Sequence, residues 1–256
     1  MYRTFKKPLG YAGDYEMVSM MVRDPREGAS VFAKVLNTFF LQTPPVVAHR
    51  NRISQLKKVL KAEVLRLLPK NRPVKIFNLG CGPAKEIQDF LEESDLGNQA
   101  QFTLLDFNEE TLHHTQRLLQ DAITRYHRAA KVQLVKKSVT QILKETAKAN
   151  SGLLASDYDL VYCAGLFDYL PGPICQKLMS AFYHMLAPGG LALVTNVDEA
   201  NPARNWMEYS VDWHLIYRNQ AKMNELRPLG VSDDNCRIQS EESGVNIFME
   251  LRKPNG

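Results

Sequence analysis

A chain of 256 residues that is 45% apolar, 23% charged and 9% aromatic has an ordinary globular composition, which argues against disorder, collagen and coiled coil. At this length about 70–75% of the unfolded chain's surface can be buried, so no disulfide or metal staple is needed. The net charge of +4 hides an asymmetry: residues 1–75 carry 15 Lys and Arg against 5 Asp and Glu, whereas residues 76–256 carry 17 against 23.

The basic part suits either an anionic partner or a solvated helical face. No helix-turn-helix, finger or aromatic–basic RNA-binding pattern accompanies it, so no specific nucleic acid is expected. The longest apolar run, 160–167, is far shorter than the ~20 residues of a membrane helix. No apolar stretch follows the charged start, so no secretory signal is expected. Cys81, Cys163, Cys175 and Cys236 are scattered without C-x-x-C spacing, which predicts no metal site and a reduced, cytoplasmic protein.

The first 48 residues read as helical pieces broken at Pro8-Leu-Gly10, Asp24-Pro25 and Thr43-Pro44-Pro45. Over 49–68, Ile53, Leu56, Leu60, Val64, Leu67 and Leu68 recur at helical spacing, and Pro69 ends the stretch. These residues complete an N-terminal helical cap, 1–72. From 73 to 256 strands alternate with helices: strands at 74–79, 102–106, 132–135, 158–163 and 191–195, with helices between them. Asn108 has the chemistry of an N-cap, followed by Glu109 and Glu110 at a positive helix start. Segments 237–240 and 245–251 form a closing hairpin. The pattern predicts an α/β fold: a Rossmann-like, seven-stranded, mostly parallel sheet with helices on both faces, its last strand inserted antiparallel.

In such sheets ligands bind at the carboxyl ends of the strands. The first strand ends in Asn78-Leu-Gly-Cys-Gly-Pro-Ala84, where Gly80 and Gly82 permit a tight turn and close approach of a ligand. Position 85 is Lys, where a dinucleotide fingerprint needs a third glycine, and no P-loop motif is present. Asp106 ends the second strand with a carboxylate able to accept from both ribose hydroxyls, and Phe107 can lie beside an adenine. Ribose and adenine contacts without a pyrophosphate loop describe S-adenosylmethionine.

Four segments carry a resemblance to the class I S-adenosylmethionine-dependent methyltransferases: Ile76-Phe-Asn-Leu-Gly-Cys-Gly-Pro83, Leu104-Leu-Asp-Phe-Asn108, Tyr158-Asp-Leu-Val-Tyr-Cys-Ala-Gly165 and Leu186-Ala-Pro-Gly-Gly-Leu-Ala-Leu193. The resemblance implies that Gly80, Cys81 and Gly82 lie against the methionine part and that Asp106 holds the ribose. It further implies that Ser138 and Val139 border the adenine and that Cys163, Ala164 and Gly165 lie near the sulfonium. Three positions depart from the pattern: 78 is usually acidic and is Asn, 84 is often Gly and is Ala, and 138 is often Asp and is Ser. Asn78 keeps a hydrogen bond for the cofactor's ammonium group but not the charge.

Further segments, Lys7-Pro-Leu-Gly-Tyr-Ala-Gly-Asp-Tyr-Glu-Met17, Gly165-Leu-Phe-Asp-Tyr-Leu170, Met207-Glu-x-x-x-Asp-Trp-x-Leu-Ile-Tyr-Arg218 and Glu242-Ser-Gly-Val-Asn-Ile-Phe248, resemble a bacterial methyltransferase family. It is named for extracellular-factor, or 3-hydroxypalmitic acid methyl ester, biosynthesis. The name implies carboxyl O-methylation of a hydroxy fatty acid, with S-adenosylhomocysteine as co-product.

Methyl transfer needs nucleophile, methyl and sulfur in line and water excluded. Three segments are expected to meet over the sulfonium. The first brings Tyr11, Asp14 and Tyr15, flanked by Gly10 and Gly13 as a closing lid. The second brings Phe167, Asp168 and Tyr169. The third brings Asn196, Tyr209, Trp213, Tyr217 and Arg218, of which Arg218 can clamp a carboxylate. Read as one helix, Trp206, Tyr209, Trp213 and Tyr217 form an aromatic stripe. The acceptor is expected to be a small molecule, anionic or acyl. Two rival readings share the fold: displacement within S-adenosylmethionine to give a cyclic amino acid and methylthioadenosine, and a degenerate binding module.

Overall fold

The structure, a computed structural model, describes residues 2–23, 26–146 and 157–255. The expected turn at Asp24-Pro25 lies outside these residues. Four helices come first: α1 (Tyr2–Lys6), α2 (Tyr15–Met20), α3 (Val31–Phe40) and α4 (Pro44–Leu67). The alternating part follows as β1 (Val74–Leu79), α5 (Lys85–Glu93), β2 (Ala100–Asp106), α6 (Glu109–Arg125), β3 (Lys131–Lys136), α7 (Val139–Thr146), β4 (Tyr158–Cys163), α8 (Gly172–Met185) and β5 (Leu186–Val197). The chain closes with α9 (Arg204–Val211), α10 (Gln220–Asn224), β6 (Cys236–Ser240) and β7 (Asn246–Arg252).

The seven strands run in the order β3-β2-β1-β4-β5-β7-β6. β1 to β5 are parallel, and β7 enters antiparallel between β5 and β6, as the closing hairpin predicts. Strand order reverses between β1 and β4, so the crevice at their carboxyl ends is the expected ligand position. The Ala-Pro-Gly-Gly turn lies inside β5 as an irregularity. Tyr158 pairs with Leu186 and Leu160 with Leu191, so the intervening turn residues bulge from the ladder.

Both faces of the central sheet are covered, which is why β1, β4 and β5 are near-continuous buried runs while the edge strands β3 and β6 are half-exposed. On one face Phe77, Val161, Ala192 and Val194 pack with Met179 and Phe182 of α8 and Met223 of α10. On the other, Ile76, Phe102, Leu160 and Leu193 pack with Ile87 and Phe90 of α5 and with Leu56, Leu60 and Val64 of α4. The apolar stripe of α4 thus shares a core with the sheet. Asn108 caps α6 through a 3.0 Å bond from the Thr111 N–H. No described helix is long and apolar enough to cross a membrane.

Candidate active site

The turn after β1 is held by its neighbour strand. The Gly80 and Cys81 N–H groups both donate to the Leu105 carbonyl, at 2.8 and 3.0 Å. Gly80 and Gly82 adopt φ of +70° and +49°, and a Cβ on Gly82 would meet nothing within 4 Å, so the space before the turn is open. Ala84 completes the turn in the left-handed region at φ +52°, a conformation glycine adopts more readily.

Asp106 closes the same corner. Its carboxylate accepts from the Asn108 N–H at 3.0 Å and from the Gly82 N–H at 3.3 Å, joining the end of β2 to the glycine turn. Burial pushes its pKa up, against the backbone N–H groups that favour the charged form.

These elements wall a cavity of about 650 Å³ at the carboxyl ends of β1, β2 and β4. Of the residues expected at the site, it brings together Tyr11, Tyr15, Asn78, Gly80, Cys81, Gly82, Asp106, Phe107, Ser138, Val139, Ala164, Gly165 and Tyr169. The N-terminal segment lies across the opening. Tyr11 packs against Phe107 and Tyr169, with ring centroids 5.6 and 6.3 Å apart. Tyr15 donates to Glu110 at 2.6 Å and packs its ring, tilted by 37°, against His114. Gly13 fits closely: a Cβ there would lie 2.7 Å from the Tyr169 hydroxyl and 2.8 Å from the Trp213 ring.

Other expected residues lie elsewhere, each for a structural reason. Asp14 is buried beneath the segment, capping α2 through the Met17 N–H and pairing with Arg3 at 2.8 Å. Asp168 is buried and accepts from the Val197 N–H at 2.7 Å, tying the turn after β4 to the end of β5. Phe167 stacks on Phe182 in the core, and Cys163 is buried in the same cluster. Arg218, expected as a carboxylate clamp, donates instead to the carbonyls of Phe167 and Leu170 and to Asn196 Oδ1, at 2.9, 2.6 and 2.5 Å. Asn196 gives its amide to Val197 and Ile216 carbonyls. The aromatic stripe is interrupted because α9 ends at Asp212 in the left-handed region, φ +50°. Tyr209 therefore faces solvent at 88% exposure, and Tyr217 lies under the Arg204 guanidinium. Trp213 donates to the Tyr169 hydroxyl at 2.9 Å.

The cavity also holds residues not anticipated. Glu86, in the first turn of α5, is buried and accepts from the Tyr162 hydroxyl at 2.7 Å and from Asn78 Nδ2 at 3.4 Å. Arg52 of α4 also lines it, its guanidinium donating to His49 Nδ1 at 3.0 Å. Burial, reinforced by the charges of Arg52 and Arg50, lowers the His49 pKa to about 3, so the ring is neutral and can accept. A carboxylate beside Ile87 and Phe90 on a buried helix face, and an Arg one residue before Ile53 in the α4 stripe, are the cues in the chain.

A second chamber of about 420 Å³ adjoins the first, sharing Val18 and His49 as wall. Its lining is mostly apolar: Met17, Met20 and Met21 of α2 and the residue after it, Ala33, Leu36 and Phe40 of α3, Val46 of α4, and Trp206, Met207 and Trp213 from α9 and beyond. Phe40 and Trp206 stack at 4.9 Å.

Residues 77–192 match the sequence profile of a family described as a methyltransferase domain. A search of curated proteins finds no match. Among solved structures, a protein of Bordetella parapertussis described as a possible exported protein is 18% identical with a TM-score of 0.68, covering 94% of this chain and 79% of that one. The magnesium protoporphyrin IX methyltransferase of Synechocystis PCC 6803 with bound S-adenosylhomocysteine is 12% identical with a TM-score of 0.60, covering 98% and 97%. The N-methyltransferase NodS of Bradyrhizobium japonicum WM9, also with S-adenosylhomocysteine, is 15% identical with a TM-score of 0.50, covering 94% and 98%. The profile match gives residues 77–192 a methyltransferase domain, and the strand order is that of the Rossmann-like fold these structures share. The two methyltransferase structures hold S-adenosylhomocysteine, the demethylated form of S-adenosylmethionine.

Proposed function

We propose that the chain methylates a small organic acid with an apolar body, by carboxyl O-methylation of a fatty or related acid. The observation that carries this reading is the apolar chamber opening beside the cofactor cavity at Val18 and His49. A long apolar group placed there would bring its polar end toward the cavity, under the Tyr11 and Tyr169 rings.

The cofactor would lie with its ribose on Asp106, its adenine between Phe107, Ser138 and Val139, and its methionine end along Gly80, Cys81 and Gly82. S-adenosylmethionine supplies the electrophilic methyl group. The protein's part is alignment and exclusion of water by the segment carrying Tyr11 and Gly13. A carboxylate acceptor needs no general base, and the groups nearby suit that requirement. His49 is held neutral by burial, with a pKa of about 3. Burial pushes the Tyr11 and Tyr169 hydroxyls above their ordinary value, so neither yields a proton readily. We place this reaction in the cytoplasm, a setting that keeps the four free thiols reduced.

The test is incubation of the purified protein with S-adenosylmethionine and a panel of 3-hydroxy and unsubstituted acids, amines and phenols, followed by mass spectrometry. Methyl esters and S-adenosylhomocysteine in equal amounts are expected from the long-chain acids. Methylation of amines or phenols alone would refute the carboxyl reading.

A further inference from the structure

β1 ends in a neutral side chain, yet the cavity wall beside it is charged. Asn78 is buried, and its Oδ1 has no hydrogen-bond partner within the protein. A buried acceptor left unmade costs about 1–3 kcal/mol, so it marks a place where a ligand donor belongs. Its other amide atom donates to Glu86 at 3.4 Å, and Glu86 also takes the Tyr162 hydroxyl. Two donors thus orient one carboxylate at the edge of the cavity, next to an unsatisfied oxygen. Arg52 brings the opposite charge to the same cavity, against the backbone of Gly165 at the end of β4. A Cβ on Gly165 would fall 3.0–3.3 Å from its guanidinium.

An acceptor pair and a guanidinium around one apolar-walled space match a zwitterion: an ammonium toward Glu86 and Asn78, a carboxylate toward Arg52. We propose that Glu86 and Arg52 together form the receptor for the α-amino-acid end of the cofactor, and that Glu86 carries the negative charge which β1 itself does not provide. The inference rests on the cavity being the cofactor site. Glu86 and Arg52 hold the amino-acid end and not the methyl group, so they set affinity and specificity.

The test compares two ligands on the full chain by titration calorimetry. S-adenosylhomocysteine has the amino-acid end, and 5′-methylthioadenosine keeps the nucleoside but lacks it. Wild type should bind S-adenosylhomocysteine the more tightly. Glu86→Gln should weaken S-adenosylhomocysteine by about 10- to 100-fold, the loss expected for one charge-assisted hydrogen bond, and leave methylthioadenosine within about twofold. Arg52→Met should act in the same sense. The double variant Asn78→Asp with Glu86→Gln moves the charge to β1 and should recover affinity to within about threefold of wild type. A Glu86→Gln protein with an unchanged ratio of the two affinities overturns the proposal. If Glu86→Gln loses both ligands through misfolding, the ratio in Arg52→Met decides, and an unchanged ratio there overturns it. Wild type binding neither molecule would instead remove the cofactor reading, and this inference with it.

Discussion

Asp106 does three things with one carboxylate. It holds the glycine turn through Gly82 and starts α6 through Asn108, and it faces the cavity. Asp106→Ala should therefore weaken S-adenosylhomocysteine by at least about tenfold, from the loss of a charge-assisted hydrogen bond of ~1.5–3 kcal/mol, and should lower the melting temperature as well. Calorimetry measures the first effect and a thermal melt the second; an unchanged affinity would refute the ribose role. Ala84 provides a cleaner test of backbone strain. An L-residue in the left-handed region pays about 1–2 kcal/mol, while glycine forfeits part of the gain through its greater freedom when unfolded. Ala84→Gly should stabilise the protein by about 0.5–1 kcal/mol, read as a rise of about 1–4 °C in melting temperature. No rise would mean that the turn tolerates the methyl group without strain.

At the scale of elements, α4 is fixed to the sheet at its C-terminal end by charge as well as by its apolar stripe. Glu63 is buried and accepts two bonds from Arg252 of β7, at 2.6 and 2.8 Å, and two from Arg66. Burial alone would raise the Glu63 pKa, but the guanidinium hydrogen bonds outweigh it and the pKa falls below the ordinary value. A carboxyl with a lowered folded-state pKa stabilises the fold above its unfolded pKa of ~4.3 and loses that contribution as pH falls. Glu63→Gln should lower stability at pH 7 by about 1–2 kcal/mol, allowing for solvent at the guanidinium ends, and the gap to wild type should narrow between pH 5 and pH 3. Urea melts across that range check it, and a constant gap would refute the charge role. The helix itself is legible in the sequence because Leu56, Leu60 and Val64 repeat at its period. So are β1 and β4, short apolar runs closed by Asn78-Leu-Gly and Cys-Ala-Gly. The clamp is not, since Glu63 and Arg252 stand 189 positions apart and only the packing of α4 against β7 brings them together.

At the scale of the whole molecule, the strand-end cavity and the apolar chamber differ in how far the chain announces them. The cavity at the carboxyl ends of the strands is assembled in fixed order, so Gly80, Gly82 and Asp106 are found by motif. Asn196 lies among the last residues of β5 and Arg218 in the segment beyond α9, but local spacing does not reveal that the carbonyls of Phe167, Leu170 and Ile216 take their donors. The apolar chamber has no motif. Parts of α1, α2, α3, α4 and α9 contribute to it, and each reads alone as ordinary core or loop. Three methionines close together, at 17, 20 and 21, are its faint trace, suited to an adaptable apolar wall. The division of labour proposed for the two chambers makes a decisive variant possible. Leu36 of α3 lines the apolar chamber and is absent from the strand-end cavity. Leu36→Trp adds bulk to the chamber without touching Gly80, Asp106 or Tyr11. It should leave S-adenosylhomocysteine affinity within about twofold and reduce turnover of the longest acids at least about tenfold, while short acids are methylated as by wild type. A chain-length profile of methyl-ester formation, measured beside the calorimetry, checks this. Equal loss for short and long acids would show that the chamber does not hold the acceptor.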